Sequence, residues 1–341
     1  MKPTVHDIAS RAGVSLATVD RVLNRRPGVS ARTREKVDQA VSALGFVRDV
    51  AAANLAKGRV YPLTFLIPSN DNSFMRGLRV ALDEATGHAA VERIAIRIVD
   101  VPAFDPQALA QALDGAVTEA PAGIAFVAVD APEVAAAAER VLAAGIPLVT
   151  LVSDLTGAGR DHYAGIDNAA AGRTAASLIG RFLGGREGAV AVLAGSMLVR
   201  DHRERFQAFS ATMACDFAGF ERLPVLEGRD DPAIVDMLVT ALFAERSDIV
   251  GLYSLGAGNR GLIKALDRLA AERRPVVIAH ELTETTRGAL QSGLIDAVLN
   301  QDAGHEVRSA IRVLKAKADG LPVVAAQERI RIDIFLKDNL P

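Results

Sequence analysis

The stretch LATVDRVLN (16–24) divides into two faces at helical spacing. Val19, Val22 and Leu23 fall on one side and Leu16, Ala17, Thr18, Asp20, Arg21 and Asn24 on the other. The polar side has the chemistry of base reading. A guanidinium such as that of Arg21 forks onto guanine O6 and N7, Leu16 and Ala17 suit thymine methyls, and a carboxylate such as that of Asp20 either accepts from cytosine N4 or repels phosphate and only tunes specificity. Thr4, Ser15, Thr18, Ser30 and Thr33 stand at helix starts, where hydroxyls and backbone N–H groups suit phosphate. A second chemical candidate lies far downstream. GAGNRG (256–261) is a literal GxGxxG between a strand-like run and the helix-like GLIKALDRLAAE, and Glu281 follows 20 residues beyond its last glycine, as in a dinucleotide fingerprint. The six histidines form no HExxH pair, no GxSxG elbow occurs, and the single cysteine, Cys215, excludes an internal disulfide and a Cys-based zinc site. No metal and no cofactor is expected, and Cys215 reads as a small buried apolar residue.

The reading face needs a frame, and residues 1–46 supply one. Thr4 and Asp7 form a capping-box pair ahead of a helix carrying Ile8, Ala9 and Ala12, and Gly13 stops it. Ser15 caps the second helix. A third starts after Ser30, buries Val37, Ala40, Val41 and Leu44, and stops at Gly45. Three short helices with a tight glycine turn between the first two describe a helix-turn-helix unit, whose second helix enters the major groove. Charge agrees. Residues 1–60 hold 11 basic and 5 acidic residues, although the chain as a whole carries a net charge of −2. A basic head on an acidic body points to nucleic acid.

The remaining residues, 61–341, alternate strand-like apolar runs with helical stretches. The strand-like runs are 61–67, 93–99, 123–129, 147–152, 189–194, 248–254, 275–280 and 296–300, with a last one in IRIDIFLKDNLP. Such βαβ alternation predicts parallel sheets covered on both faces, and the length predicts two lobes. Ligands in such folds sit beyond the strand C-termini. Half the chain is hydrophobic and 23% is charged, which excludes a disordered protein. No apolar run is long enough to span a membrane, and MKPTVHDIASRAG has no signal-peptide core, so a cytoplasmic protein is expected.

TVHDIASRAGVSLATVDRVLN, followed by GVSARTREKVDQAVSALGFVRD, closely resembles the headpiece of the lactose/galactose repressor (LacI/GalR) family of bacterial transcription regulators. The resemblance places the family's base-reading positions on Leu16, Ala17 and Arg21, with Asp20 where many members have serine. It also implies that 47–60 is a hinge helix, folding when two copies meet in the DNA minor groove. Leu55 would be its wedge between base pairs, and Ala52, Ala53 and Ala56 would allow close approach.

The body resembles the type I periplasmic sugar-binding-protein fold through pieces such as GIDNAAAGRTAA, VLAG, RERFQAF, GNRG and NQD. That fold implies three crossings between lobes, expected near 153–165, 281–284 and 300–304. It implies effector contacts at Asn72, Phe74, Met75, Arg203, Arg205, Glu281 and Gln301, with a sugar as the class of ligand. His202 and His280 are candidates for lining the cleft. Within this frame the glycines of GAGNRG read as turn residues, and no enzyme is expected. The partners implied are a pseudo-palindromic double-stranded operator, a small-molecule effector and a second copy of the chain. A dimer rather than a tetramer is expected, because no heptad tail follows IRIDIFLKDNLP.

Overall fold

The computed structural model describes residues 3–24, 26–46, 54, 58–69, 72–157, 159–256 and 258–341. The chain divides into two compact units, Met1–Arg59 and Val60–Pro341.

The first unit is built from local signals. α1 (Val5–Ala12) starts at a capping box in which the Asp7 N–H donates to the Thr4 hydroxyl and the Asp7 carboxylate accepts from the Thr4 N–H. Gly13 ends it in the left-handed conformation, at φ 62°, which its missing Cβ permits. α2 (Leu16–Leu23) and α3 (Ala31–Leu44) start with the same device: Ser15 and Ser30 each accept from the N–H of the threonine three residues on. Ile8, Ala9, Val19, Val22, Val37 and Ala40 form the buried core, and Leu23, Val41 and Leu44 pack half-buried around it.

The second unit has two lobes. In the first, the parallel strands β1 (Tyr61–Pro68), β2 (Ile94–Val101), β3 (Gly123–Val127), β4 (Leu148–Leu151) and β5 (His162–Ala164) lie in the order β2-β1-β3-β4-β5. Helices α4 (Ser73–Gly87), α5 (Pro106–Thr118) and α6 (Pro132–Ala143) cover it. The second lobe has β6 (Gly188–Ala194), β7 (Phe220–Glu227), β8 (Ile249–Ser254), β9 (Val276–His280), β10 (Ala297–Asn300) and β11 (Asp333–Phe335), in the order β11-β10-β9-β8-β6-β7. β11 pairs antiparallel with β10 and the other pairs are parallel. Its helices are α7 (Asn168–Leu183), α8 (Arg200–Asp216), α9 (Pro232–Glu245), α10 (Asn259–Asp267) and α11 (Glu284–Ser292). The predicted strands all appear. β5 has three residues, and β7 is a polar edge strand interrupted by Pro224, so neither carries an apolar run to read.

Two of the three expected crossings need correction. The chain remains in the first lobe through β5, which pairs with β4, and crosses at 165–167. Residues 281–284 do not cross: β9 and α11 pack into one core of the second lobe. The crossing at 301–302 leads into α12 (Ala303–Ala318), whose Val307, Ala310, Ile311 and Leu314 complete the first lobe's core. The third crossing is the return from α12 to β11. Cys215, expected to be buried, is exposed near the end of α8.

Candidate functional site

On the first unit, Leu16, Ala17, Asp20 and Arg21 are exposed on one face of α2 while Val19 and Val22 face the core. The hydroxyls predicted at helix starts are the caps themselves: the Ser15–Thr18 and Ser30–Thr33 oxygens are 2.9 Å apart, and Thr4 Oγ1 donates to Asp7. Each cap takes one N–H of its helix's first turn, and a helix N-terminus has further N–H groups of the kind that suit phosphate. The Asp20 carboxylate accepts from Asn24 Nδ2 at 2.6 Å and from Arg26 Nη1 at 3.2 Å. Arg26 offsets the negative charge that Asp20 places on the reading face. The hinge candidates Ala52, Ala53, Leu55 and Ala56 lie outside the described residues.

In the second unit the C-terminal ends of both sheets face a cavity of about 80 Å³. Six of the seven predicted contacts line it: Asn72, Phe74, Met75, Arg205, Glu281 and Gln301. Arg205 is its centre. The residue is 1% exposed, Nε donates to Asn168 Oδ1 at 2.8 Å, and Nη1 donates to the Leu255 carbonyl at 2.6 Å. Asp201 and Glu281 each approach the guanidinium to 3.9 Å. Gly172 on α7 is needed for this packing, since a Cβ there would sit 2.1 Å from the Arg205 carbonyl oxygen. Burial raises the Glu281 carboxyl to about 7, against the pull of Arg205. Gln301 holds both Glu281 oxygens, through its backbone N–H at 3.2 Å and its Nε2 at 2.8 Å. Arg205 Nη2, Asp201 Oδ1, Gln301 Oε1 and Ser153 Oγ are buried with no hydrogen-bond partner among the described residues. All four residues line the cavity. Buried polar atoms are paired as a rule, so these four are candidate contacts for a polar ligand.

Arg203 is the seventh predicted contact, and it points elsewhere. Two residues along a helix is a turn of about 200°, so Arg203 and Arg205 emerge on opposite faces of α8. Arg203 pairs with Asp130, and its Nη1 donates to the Met197 and Leu198 carbonyls at 3.1 and 2.9 Å. Asp130 belongs to the first lobe, so the contact is a clasp across the cleft. Arg200 adds a second by donating to the Leu155 carbonyl at 2.5 Å. Asn72 is partly a clasp too: Oδ1 caps α4, while Nδ2 donates to Asp230 of the second lobe at 2.6 Å. His202 lines the cavity and holds the Ser196 carbonyl through Nδ1, whereas His280 is buried behind it and bonds Tyr253 at 2.7 Å.

The cavity also uses residues the sequence reading missed: Phe104, Val152, Ser153, Asp201 and Asp230. Asp201 was within reach, four residues before Arg205 on one helix face. The others depend on backbone conformation. Of the seven non-glycine residues with positive φ among the described residues, Phe104, Val152, Asp230 and Glu281 line the cavity. Val152 is the most demanding, a β-branched residue at φ 62° in a three-residue turn closed by the Ser153 N–H on the Leu151 carbonyl. Such strain gathers where a site is held in shape by its surroundings.

The GxGxxG segment has a packing role. Gly258 caps α10 at φ 75°, and a Cβ on Gly261 would sit 2.1 Å from the Pro232 carbonyl oxygen. The N-terminus of α10, where a pyrophosphate would lie, already holds a carboxylate: the Gly258 N–H donates to Asp230 at 2.9 Å. Among the described residues no acidic, histidine or cysteine cluster suits a metal ion.

A three-helix reading unit followed by a two-lobed α/β cleft defines a ligand-binding regulator class, and comparison with known proteins agrees. Residues 4–49 match the family described as bacterial regulatory proteins, lacI family, and residues 63–322 match the periplasmic binding protein domain. The chain carries a lacI-family DNA-binding domain at its N-terminal end, and its body belongs to the periplasmic binding protein domain family. A quarter of the chain is similar to the HTH-type transcriptional regulator DegA of Bacillus subtilis, at 34% identity over 84 residues, 25% of each chain. It is also similar to the HTH-type transcriptional regulator MalR of Streptomyces coelicolor, at 40% over 85 residues, 25% of this chain and 24% of that one. These matches span about a quarter of the curated relatives' length. In fold, the body is similar to GanP, a glucose-galactose binding protein from Geobacillus stearothermophilus, with a TM-score of 0.73 and 18% identity over 83% of this chain and 99% of that one. No helix among the described residues is long and apolar enough to cross a membrane.

Proposed function

We propose that the protein is a sequence-specific DNA-binding transcriptional regulator, acting as a repressor, whose operator affinity is set by a small effector of the sugar class. One observation carries the reading. The same chain pairs an exposed base-reading face of lacI-family type with a cleft whose buried Arg205, Asp201 and Gln301 keep polar atoms unpartnered. The sugar class draws support from the body's likeness in fold to GanP, whose title names glucose and galactose. The reading face assigns base contacts to Leu16, Ala17, Asp20, Arg21 and Asn24, and phosphate contacts to the first turns capped by Thr4, Ser15 and Ser30, with Thr18 and Thr33 beside them.

The protein works in the cytoplasm as a homodimer, because a two-fold pair of headpieces reads a pseudo-palindrome. Leu55, with Ala52, Ala53 and Ala56, forms the minor-groove hinge. Val80 on α4 and Met237 on α9 are exposed apolar side chains that suit contact between copies. Effector in the cleft alters the stance of the lobes and hence the spacing of the paired headpieces. Effector and operator must then change each other's affinity by the same factor. The reading makes no use of catalysis or of a cofactor.

The test is selection from a random DNA library by the full-length protein. Enrichment of a pseudo-palindrome is expected, with the preference at one base pair of each half-site relaxed by Arg21→Ala. A library that stays unenriched both without ligand and with pooled metabolites overturns the reading.

A further inference from the structure

The two walls of the cleft differ in kind. The second lobe presents Asp201, His202, Arg205, Asp230, Glu281 and Gln301, with Val199 and Gly256 as its non-polar members. The first lobe presents an almost unbroken apolar surface, drawn from Leu66 and Pro68 at the end of β1, Val101 to Phe104 after β2, Val127 to Val129 after β3, and Val152. Its two polar members are Asn72 and Ser153. Both hydrogen-bonding ends of the Asn72 amide are spent, on the α4 cap and on Asp230. Ser153 Oγ is therefore the first lobe's one unspent polar side-chain atom among the described lining residues.

We infer that the effector is a neutral deoxy-sugar, seated with its hydroxylated edge on the second lobe and its methyl or deoxygenated end against the first. The polar wall offers a donor, Arg205 Nη2, and acceptors, Asp201 Oδ1 and Gln301 Oε1, which matches adjacent hydroxyls that each give and take a hydrogen bond. Arg205 sits between two carboxylates at 3.9 Å, so its positive charge already has partners and the wall does not call for an anion. Away from Ser153, a hydroxymethyl group on the facing wall meets Val127, Val129, Phe104 and Leu66 and loses its water without replacement, whereas a methyl group gains from the same burial. The wall is held in place at a cost. Phe104 at φ 57° and Val152 at φ 62° both occupy backbone conformations that such residues avoid, and both contribute apolar surface to it.

This inference rests on the sugar-effector reading and sharpens it. Calorimetric titration of the full chain with three matched pairs tests it: L-fucose against L-galactose, L-rhamnose against L-mannose, and D-quinovose against D-glucose. Each pair differs by one oxygen. In at least one pair the deoxy member is expected to bind at least tenfold more tightly. Val129→Thr, which keeps the side-chain shape and adds a hydroxyl to the apolar wall, is expected to cut that preference at least threefold without unfolding the protein. Parents binding as tightly as their deoxy partners in every pair that binds would overturn the deoxy inference and leave the sugar reading standing. No heat from any of the six would overturn both, with the DNA selection still deciding the regulator reading.

Discussion

The headpiece and the cleft put their chemistry in opposite places. On the headpiece, the candidate reading residues Leu16, Ala17 and Arg21 are exposed and lie outside the buried core of the described residues, while a core of small apolar residues and three hydroxyl caps holds the helices. In the cleft, Arg205, Glu281 and Gln301 are almost wholly buried and bond to one another or to the surrounding backbone. Recognition and stability are thus separable in the first unit and bound together in the second. A surface that must meet a partner of fixed, rigid shape can carry its readers on solvent-facing positions. A pocket that must desolvate a small ligand has to bury charge, and buried charge must be partnered to persist.

The largest test of this contrast is Arg205→Ala. Removing the guanidinium leaves Asp201 and Glu281 buried without their cation and the Leu255 carbonyl without its donor. Breaking a buried pair from one side costs about 3–5 kcal/mol, so urea unfolding of the second unit should shift by that order. A loss below about 1 kcal/mol would place Arg205 among ordinary surface ion pairs and erase the contrast.

Glu281→Gln tests the same wall through pH. Burial raises Glu281 from its ordinary 4.5 to about 7, with Arg205 and the Gln301 bonds opposing it and Asp201 adding to it. His280 also faces it, at 3.8 Å. Between those two values the folded state binds a proton that the unfolded chain has released, so stability falls as pH rises through the window. The full contribution is present below 4.5 and gone above about 7. At 1.36 kcal/mol for each pKa unit the span is about 3 kcal/mol. The amide variant should lack that part of the slope. Urea unfolding at pH 5 and pH 8 for both proteins measures it, and parallel slopes would show that Glu281 is charged throughout.

Arg21→Ala is the counterpart on the headpiece. The side chain is exposed, so stability should stay within about 0.5 kcal/mol of wild type. Affinity for the selected operator should fall by about 1–3 kcal/mol, with preference relaxed at one base pair in each half-site. Equal losses at every position of the site would instead assign Arg21 to phosphate.

The same contrast decides how much could be read in advance. Capping pairs such as Thr4 with Asp7 and Ser15 with Thr18 lie three residues apart, and a glycine stop follows at 13, so the headpiece is written in local spacing. The apolar runs of the central strands were equally plain. The cleft is assembled from strand ends more than two hundred residues apart, and its shape depends on positive φ at Phe104, Val152 and Asp230, which no side-chain pattern announces. Arg205 and Glu281 were found because each stands in or after a recognisable local piece. Arg203 was misplaced because two neighbouring arginines look alike until the helix turns them apart. The crossing assigned to 281–284 failed for a similar reason: a positive φ at Glu281 turns the chain back into its own lobe without leaving an apolar signature.

Arg203→Ala asks whether a polar residue of the second unit can behave like one of the headpiece. Its side chain is 31% exposed, and the pair with Asp130 spans the mouth of the cleft. Asp130 would not be left bare, since it also accepts from the Thr156 N–H and hydroxyl at 2.8 Å. Partly exposed pairs contribute about 0–1 kcal/mol, so unfolding should barely move. Effector affinity should move more clearly. The clasp exists when the lobes are together, and removing it takes free energy from that arrangement alone. A ligand that needs the closed cleft then binds more weakly by the same factor, about fivefold at most for a loss of 1 kcal/mol. Titrating the best-binding sugar into both proteins at low and high salt makes the comparison, because screening should shrink the wild-type advantage. An affinity unchanged by the substitution would mean that Arg200 and the Asn72–Asp230 contact hold the lobes without Arg203. In that case closure, like the Arg205 network, depends on the more buried contacts.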